Sequence, residues 1–221
     1  YLKNLLLYKK IEMMDADENT DRADLTKARS QCDFRLITEN DAAKFSHDLQ
    51  AQISLWNSAA DNYRYAERPD MTAYCLKKSL GLTESDPQLL DEEFVSSYSR
   101  LFFEMIDAYI EAQDFSAAST ELTEFLTRFT CYMTDINTEA NPRPNDQMHS
   151  TFGSRESQKR MQIFILMSDH WEKLNDVKNA ICTRLAALYV LLEEKPDGAF
   201  LFSINESESF VPVICDRIRM L

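Results

Sequence analysis

The sequence predicts an all-α protein, on the evidence of its composition and of repeated amphipathic stretches. Only three glycines and six prolines occur in 221 residues, whereas Leu, Ala, Glu, Lys and Met, which favour helices, are plentiful. Strands joined by tight turns usually need more glycine and more Asn-Gly pairs. We therefore expect helices throughout and almost no sheet.

The net charge and the cysteines restrict the class of partner and the compartment. The formal charge of −13 argues against direct binding to nucleic acid or to an anionic membrane, since phosphate contacts need clustered Lys and Arg. A basic partner suits such a chain, although charge that serves only solubility remains the alternative. The five cysteines are odd in number and widely spaced, which predicts buried thiols in a reducing compartment, the cytoplasm or the nucleus.

Two helices are predicted at the N-terminus, over residues 2–14 and 24–37, from apolar residues at helical spacing. Between them, residues 15–21 imitate the opening of a calcium loop. Position six of such a loop is Thr20 instead of Gly, and position twelve is Thr26 instead of Glu. We therefore expect a solvated acidic loop or helix start here, and no metal.

A long helix is predicted next, because residues 38–41 resemble an N-cap with carboxylates in the first turn. This helix is expected to run to about Glu67, where residues 68–70 contain a proline that ends it. A shorter helix over residues 72–80 is expected to stop at Gly81.

The next predicted hairpin begins at residues 91–93, three acidic residues that suit the positive end of a helix dipole. Its apolar stripe runs to Tyr109, Gln113 and Asp114 mark the turn, and the return helix is expected over residues 116–133.

A loop is predicted over residues 137–154, which hold two prolines and a glycine and show no apolar stripe. Two more helices are expected over residues 156–174 and 177–194. The tail, residues 196–221, is predicted to start with a turn and to end in a short capping helix.

Three stretches share one spacing of aromatic and small residues, which predicts three antiparallel helix hairpins. Short side chains let the two helices of a hairpin approach closely, while aromatic residues fill the grooves between hairpins. The reference copy has Phe102, Met105, Ile106, Tyr109, Ala118, Leu122 and Phe125. The later copy has Phe164, Met167, Ser168, Trp171, Ala180, Arg184 and Ala187. The earlier copy has Trp56, Ala59, Ala60 and Tyr63, with a turn one residue longer before Ala73.

This pattern resembles the tetratricopeptide repeat (TPR), whose signature W-x2-L-G-x2-Y is followed by a small residue in the second helix. Residues 56–63 match that signature closely. The copies depart from the family in their spacing, which is wider than about 34 residues, in lacking its glycine, and in placing Arg184 at a large apolar position. The resemblance implies hairpins stacked into a TPR-like right-handed superhelix, and an irregular helical bundle is the alternative.

The predicted organisation has three parts. Residues 1–37 form N-terminal helices or an arm, and residues 38–195 form the TPR-like domain with a loop insertion at 137–154. Residues 196–221 form a C-terminal turn and capping segment.

The resemblance implies that the first helix of each hairpin lines a concave face, where extended peptides or partner helices bind. Five residues after each leading aromatic, the three copies carry Asp61, Asp107 and Asp169. Neighbouring positions that share this face are Asn57, Tyr65, Glu104, Glu111 and Glu172. We predict that these residues form an acidic ladder that receives a Lys- or Arg-bearing segment. The alternative is that the three aspartates are solvated or hydrogen-bonded within their own helices.

The predicted function is that of a non-catalytic scaffold or adaptor subunit within a larger complex, with no cofactor. The sequence contains no G-x-S-x-G, no phosphate-binding glycine loop and no H-E-x-x-H. His170 with Cys182 is the one nucleophile pair that a hairpin brings within conceivable reach. The alternative function is a regulatory or docking fragment of a larger enzyme.

Overall fold

The computed structural model describes residues 1–86, 97–139, 149–192 and 216, and within them the side chains of 1–86, 97–127, 161–188 and 216. These residues form helices and short connections and include no strand. The predicted all-α class is therefore confirmed. The chain divides into two compact units, Tyr1–Asp114 and Phe115–Leu221.

The first unit contains six of the described helices. They are α1 (Leu2–Ala16), α2 (Arg22–Ser30), α3 (Phe34–Ala42), α4 (Leu49–Tyr65), α5 (Pro69–Glu84) and α6 (Ser99–Glu111). In this unit α4 and α5 form an antiparallel hairpin, α6 packs on α5, and α3 packs on α4.

The second unit contains α7 (Phe115–Glu139), α8 (His149–Lys173) and α9 (Val177–Leu192). Of these, α8 and α9 pack as a second hairpin.

Aspartate caps divide the N-terminal part into more helices than the sequence predicted. The long helix expected from residues 38–41 to Glu67 is wrong, because α3 ends at Ala42 and a 3₁₀ turn, Ala43–Phe45, follows. Asp48 then accepts a hydrogen bond from the Ala51 N–H at 2.9 Å and starts α4. Asp33 caps α3 in the same way, so the helix predicted over residues 24–37 is also interrupted.

Two other predicted boundaries are wrong. The helix expected to begin at residue 72 and stop at Gly81 starts at Pro69 and continues to Glu84. Proline suits a first helical position, because its missing N–H has no partner there in any case. The loop predicted over 137–154 is helical at both ends, since α7 runs to Glu139 and α8 begins at His149. The start predicted at 91–93 and the tail, except Asp216, lie outside the described residues.

Three turns have the same structure, and each follows an aromatic residue of the repeat. Glu67, Gln113 and Asn175 adopt positive φ values of 55°, 61° and 58°. The amide of the next residue donates to the carbonyl of Tyr63, Tyr109 or Trp171, at 3.0, 2.9 and 2.9 Å. This bond pattern is the Schellman motif, which satisfies carbonyls at a helix end. The first turn was predicted to be longer, but all three have the same length, so Thr72 and not Ala73 matches Ala118 and Ala180 by position.

Tyr63 connects the hairpin of the first unit to α3. Its ring meets Phe34 edge-on at a centroid distance of 5.2 Å. Its hydroxyl accepts from the Arg35 N–H at 2.9 Å and donates to Asp33 at 3.1 Å. Burial raises the pKa of Tyr63 above its ordinary value, so the phenol stays protonated and keeps donating. The aromatic residue of the repeat therefore also fixes where α3 begins.

Substitution of Gly81 tests whether there is room for a side chain at this position of α5. A Cβ added at Gly81 would meet nothing within 4 Å, and glycine inside a helix costs about 1 kcal/mol relative to alanine. We therefore expect Gly81→Ala to raise the free energy of unfolding by about 1 kcal/mol, and Gly81→Val by less because valine is β-branched. Urea unfolding followed by circular dichroism measures both. A loss of stability in Gly81→Ala would contradict an open position.

Candidate functional site

A charged groove lies in the first unit between the α4–α5 turn and α6, and we call it the acidic groove. Its volume is about 360 Å³. The charged residues that line it are Arg64, Glu67, Arg68, Glu104, Asp107 and Glu111. The groove therefore contains three of the residues that the sequence predicted for partner binding, namely Glu104, Asp107 and Glu111.

The two arginines of the acidic groove are already engaged by carboxylates. Arg64 bridges Asp61 and Glu104, with both ion pairs at 2.8 Å, and so connects α4 to α6. Arg68 donates two hydrogen bonds to Asp70, at 3.0 and 2.9 Å, which hold the pKa of Asp70 below its ordinary value. Among the described residues, four carboxylates line the groove against two guanidiniums, so the field inside the groove is negative.

Asp61, the first predicted rung of the ladder, lies beside this groove and is half exposed. Its carboxylate pairs with Arg64 three residues further along the same helix. Sequence reasoning missed Arg64, although the spacing of Asp61 and Arg64 is one at which helical side chains meet. The i,i+3 rule would have found this pair.

Asp169, the third predicted rung, lies in the second unit and is bound by Arg184 across the α8–α9 hairpin. The same guanidinium reaches Glu172 at 3.3 Å. The side chain of Arg184 is 7% exposed, against 45% for Asp169 and 14% for Glu172. Arg184 had been noted only as a departure from the repeat pattern. It is buried in the helix pair, and its charge is compensated by these two carboxylates.

The remaining predicted residues, Asn57 and Tyr65, have neighbours within the first unit. The ring of Tyr65 is covered by the Arg29 guanidinium at 4.8 Å, and Arg29 also pairs with Asp15 at 3.1 Å. The side-chain oxygen of Asn57 is buried and accepts no hydrogen bond from the described residues. Tyr65 is therefore engaged by a cation, whereas Asn57 retains an unused acceptor.

The groups considered for catalysis or metal binding differ in their surroundings. His170 is buried and its Nδ1 lies 2.7 Å from the Leu166 carbonyl, while Cys182 is exposed. In the segment that imitated a calcium loop, Asp21 caps α2, and Asp17 accepts from the Asn19 N–H at 3.0 Å. Among the described residues, no group of three or more His, Cys, Asp or Glu is arranged to hold a metal ion.

The buried cysteines of the first unit are poorly reactive. Burial raises the pKa of Cys32 to about 11 and that of Cys75 to about 12. A thiolate, and not a thiol, is the nucleophile, so both are protected at neutral pH.

Searches for a membrane segment and for known relatives give no positive result. Within the described ranges, no helix combines the length and apolar character needed to cross a bilayer. Comparison of the chain with protein-family models, with curated proteins and with solved structures finds no match.

The buried ion pairs of Arg184 make a testable contribution to stability. Arg184→Met is expected to lower the free energy of unfolding by about 2–3 kcal/mol, because the mostly buried Glu172 loses the charge of this arginine. The same change at the half-exposed Arg64 is the matched control and should cost less than about 1 kcal/mol. Adding Glu172→Gln to Arg184→Met should recover part of the loss, as a double-mutant cycle by urea unfolding would measure. Equal losses at the two arginines would contradict the burial argument.

Cysteine labelling tests the burial and pKa differences. At about pH 8, we expect iodoacetamide to modify Cys182 about 100-fold faster than Cys32 or Cys75, because a pKa near 11 or 12 leaves little thiolate. Mass spectrometry of proteolytic peptides resolves the individual sites, and concentrated guanidinium chloride should make the rates equal. Fast labelling of Cys75 in the folded protein would contradict this expectation.

Proposed function

We propose that this chain is a TPR-like, non-catalytic interaction module that binds a Lys- or Arg-bearing segment of a partner protein in the acidic groove. In this proposal it acts as a scaffold or adaptor subunit of a larger complex. A reducing compartment, the cytoplasm or the nucleus, suits the free thiols of Cys32, Cys75 and Cys182.

The repeat part of the proposal is supported by local geometry that recurs three times. The same Schellman turn follows Tyr63, Tyr109 and Trp171. Short side chains are fully buried at equivalent places, where Ala60 and Ser168 have no exposed surface. Hairpins with these features are what the TPR resemblance implies.

The binding part of the proposal rests on one observation, which is that four carboxylates converge on one groove. Glu67, Glu104, Asp107 and Glu111 surround a space of about 360 Å³, enough for one or two long side chains of a partner. The Arg64 bridge between Asp61 and Glu104 holds one wall in place. A lysine or arginine entering this groove gains charge-assisted hydrogen bonds at several positions, and each is stronger than a neutral bond.

The three aspartates of the predicted ladder differ in their surroundings. Asp61 and Asp169 each pair with an arginine of their own unit. Asp107 lies in the groove where Glu67, Glu104 and Glu111 are also found. Because a cation meets more than one carboxylate there, we assign the main binding contribution to the first unit, at Asp107 and its neighbours.

Charge reversal in the groove tests the proposal. We expect Glu104→Lys, Asp107→Lys and Glu111→Lys together to weaken binding of Lys- and Arg-bearing peptides by about tenfold or more, because like charges then face each other. The probes are peptides selected from a pooled library, in which each sequence occurs with Lys, Gln or Glu at its charged positions. Fluorescence anisotropy gives their affinities. Wild-type affinity should also fall as salt rises.

The control is the reversal of Glu12, Glu18 and Asp24 to Lys, which alters the net charge equally at exposed sites on α1, on α2 and in the turn between them. This control should keep the affinity within about threefold, the range of weak long-range effects. If the groove variant and the control lose affinity equally, or if the library yields no preference for Lys and Arg, the acidic groove is not the binding site.

A further inference from the structure

A second and larger groove lies elsewhere in the first unit, between the end of α3, the 3₁₀ turn, α4 and α5. Its volume is about 860 Å³, within the range of sites that enclose much of a ligand. The residues that matter for its chemistry are Ala42, Trp56, Tyr74, Lys78, Gly81 and Leu82. We call it the aromatic groove. None of its lining residues belongs to the acidic groove.

The floor of the aromatic groove is built from two aromatic rings that support each other. Trp56 is 6% exposed and meets Tyr74 edge-on at a centroid distance of 6.1 Å. Because Trp56 is fixed by the repeat packing of α4, it provides a rigid apolar surface. Rigid aromatic residues are the usual anchors of protein interfaces, since little conformational entropy is lost when they are covered.

Cations surround this aromatic floor. The Lys78 ammonium lies 5.7 Å from the centre of the Tyr74 ring, and the Arg35 guanidinium lies 6.0 Å from the same ring. In the part of the chain that the structure describes, Lys78 makes no ion pair with a carboxylate. Cation–π contacts at exposed sites contribute only about 0.5–1 kcal/mol, so Lys78 remains available to an acidic group.

Gly81 adds an observation about shape. It lies inside α5, where glycine is unfavourable, and a Cβ at this position would meet nothing within 4 Å. Packing among the described residues therefore gives no reason for glycine. A bare backbone on the wall of a groove permits close approach of another backbone, which is a recognised use of glycine.

The local charge is opposite to that of the whole chain. Among the described residues that line the aromatic groove, the charged ones are Lys77, Lys78 and Glu39, an excess of cations in a chain whose formal charge is −13. This local excess of positive charge attracts an acidic group to the groove, whereas the acidic surface elsewhere on the chain repels it.

We propose that the aromatic groove binds an acidic amphipathic helix of a partner protein. Apolar side chains spaced one turn apart cover the partly exposed Tyr74 and Leu82, the helix backbone approaches at Gly81, and a carboxylate pairs with Lys78. This partner is opposite in charge to the one proposed for the acidic groove. The two sites would let one unit hold two different segments.

The experiment uses the full chain and a pooled display library of amphipathic helices, in which the flanking positions carry Glu, Lys or Gln. We expect selection of the Glu members, and anisotropy measurements on synthetic copies should show about tenfold weaker binding to Lys78→Glu and to Gly81→Phe. Gly81→Phe fills the groove, whereas Lys78→Glu changes only its charge. Lys178→Glu, an exposed lysine in the second unit, is the matched charge control and should bind as the wild type does. Circular dichroism verifies that each variant is folded.

The outcomes separate the proposal from its alternatives. Glu helices that lose affinity for both groove variants but not for Lys178→Glu support it. Selection of Lys or Gln helices, no selection at all, or equal binding to both groove variants and the wild type would overturn it. Vesicles containing phosphatidylserine are a further probe. If the chain binds them in a way that depends on Lys78, and binds no helix, the groove is a membrane site instead. The Glu104, Asp107 and Glu111 reversal should leave Glu-helix binding intact, so failure at one groove is distinguishable from failure at the other.

Discussion

Close contact between paired helices is the constraint on which the other features depend. In the second unit the Ser168 hydroxyl donates to the Ala180 carbonyl at 2.9 Å, so a short side chain spans the whole distance from one helix to the backbone of the other. In the first unit Ala60 and Ala73 have no exposed surface at all. A longer side chain at these places would push the helices apart, because a packed interior has no spare volume. The positions of Tyr74 and Gly81 on α5, and hence the width of the aromatic groove, follow from this contact.

The two hairpins pair the aspartates at equivalent positions in different ways. Asp61 pairs with Arg64 of its own helix at the surface, where an ion pair adds little stability. Arg64 also pairs with Glu104 and so connects α4 to α6. Asp169 pairs with Arg184 of the opposite helix, and most of the arginine side chain is buried. A buried arginine is tolerated only with compensating carboxylates, so Asp169 and Glu172 are tied to the structure of their hairpin. The same residue type at the same repeat position thus has more freedom to meet a partner in the first unit.

Sequence reasoning predicted what depends on periodicity and missed what depends on single side-chain bonds. The all-α class and the α4–α5 and α8–α9 hairpins follow from apolar spacing, which is a property of many residues at once. The break before Leu49 depends on one hydrogen bond that Asp48 accepts from the Ala51 N–H. Continuation of α5 through Gly81 depends on tertiary packing that outweighs a local preference. The acidic groove was half predicted, because Glu104, Asp107 and Glu111 share a helix face. The aromatic groove was not predicted, because Trp56 and Tyr74 meet only after α4 and α5 are folded together.

The three Schellman turns have a consequence for how the chain folds. Each one contains only three residues, so the ends of a short loop are brought together at little entropic cost. In the α4–α5 and α8–α9 hairpins, helices that are neighbours in sequence are neighbours in space, a topology that favours rapid folding. None of the three turns uses glycine, however, and a side chain at positive φ is disfavoured in the unfolded ensemble. Each turn therefore forms at a small conformational cost, at Glu67, Gln113 and Asn175.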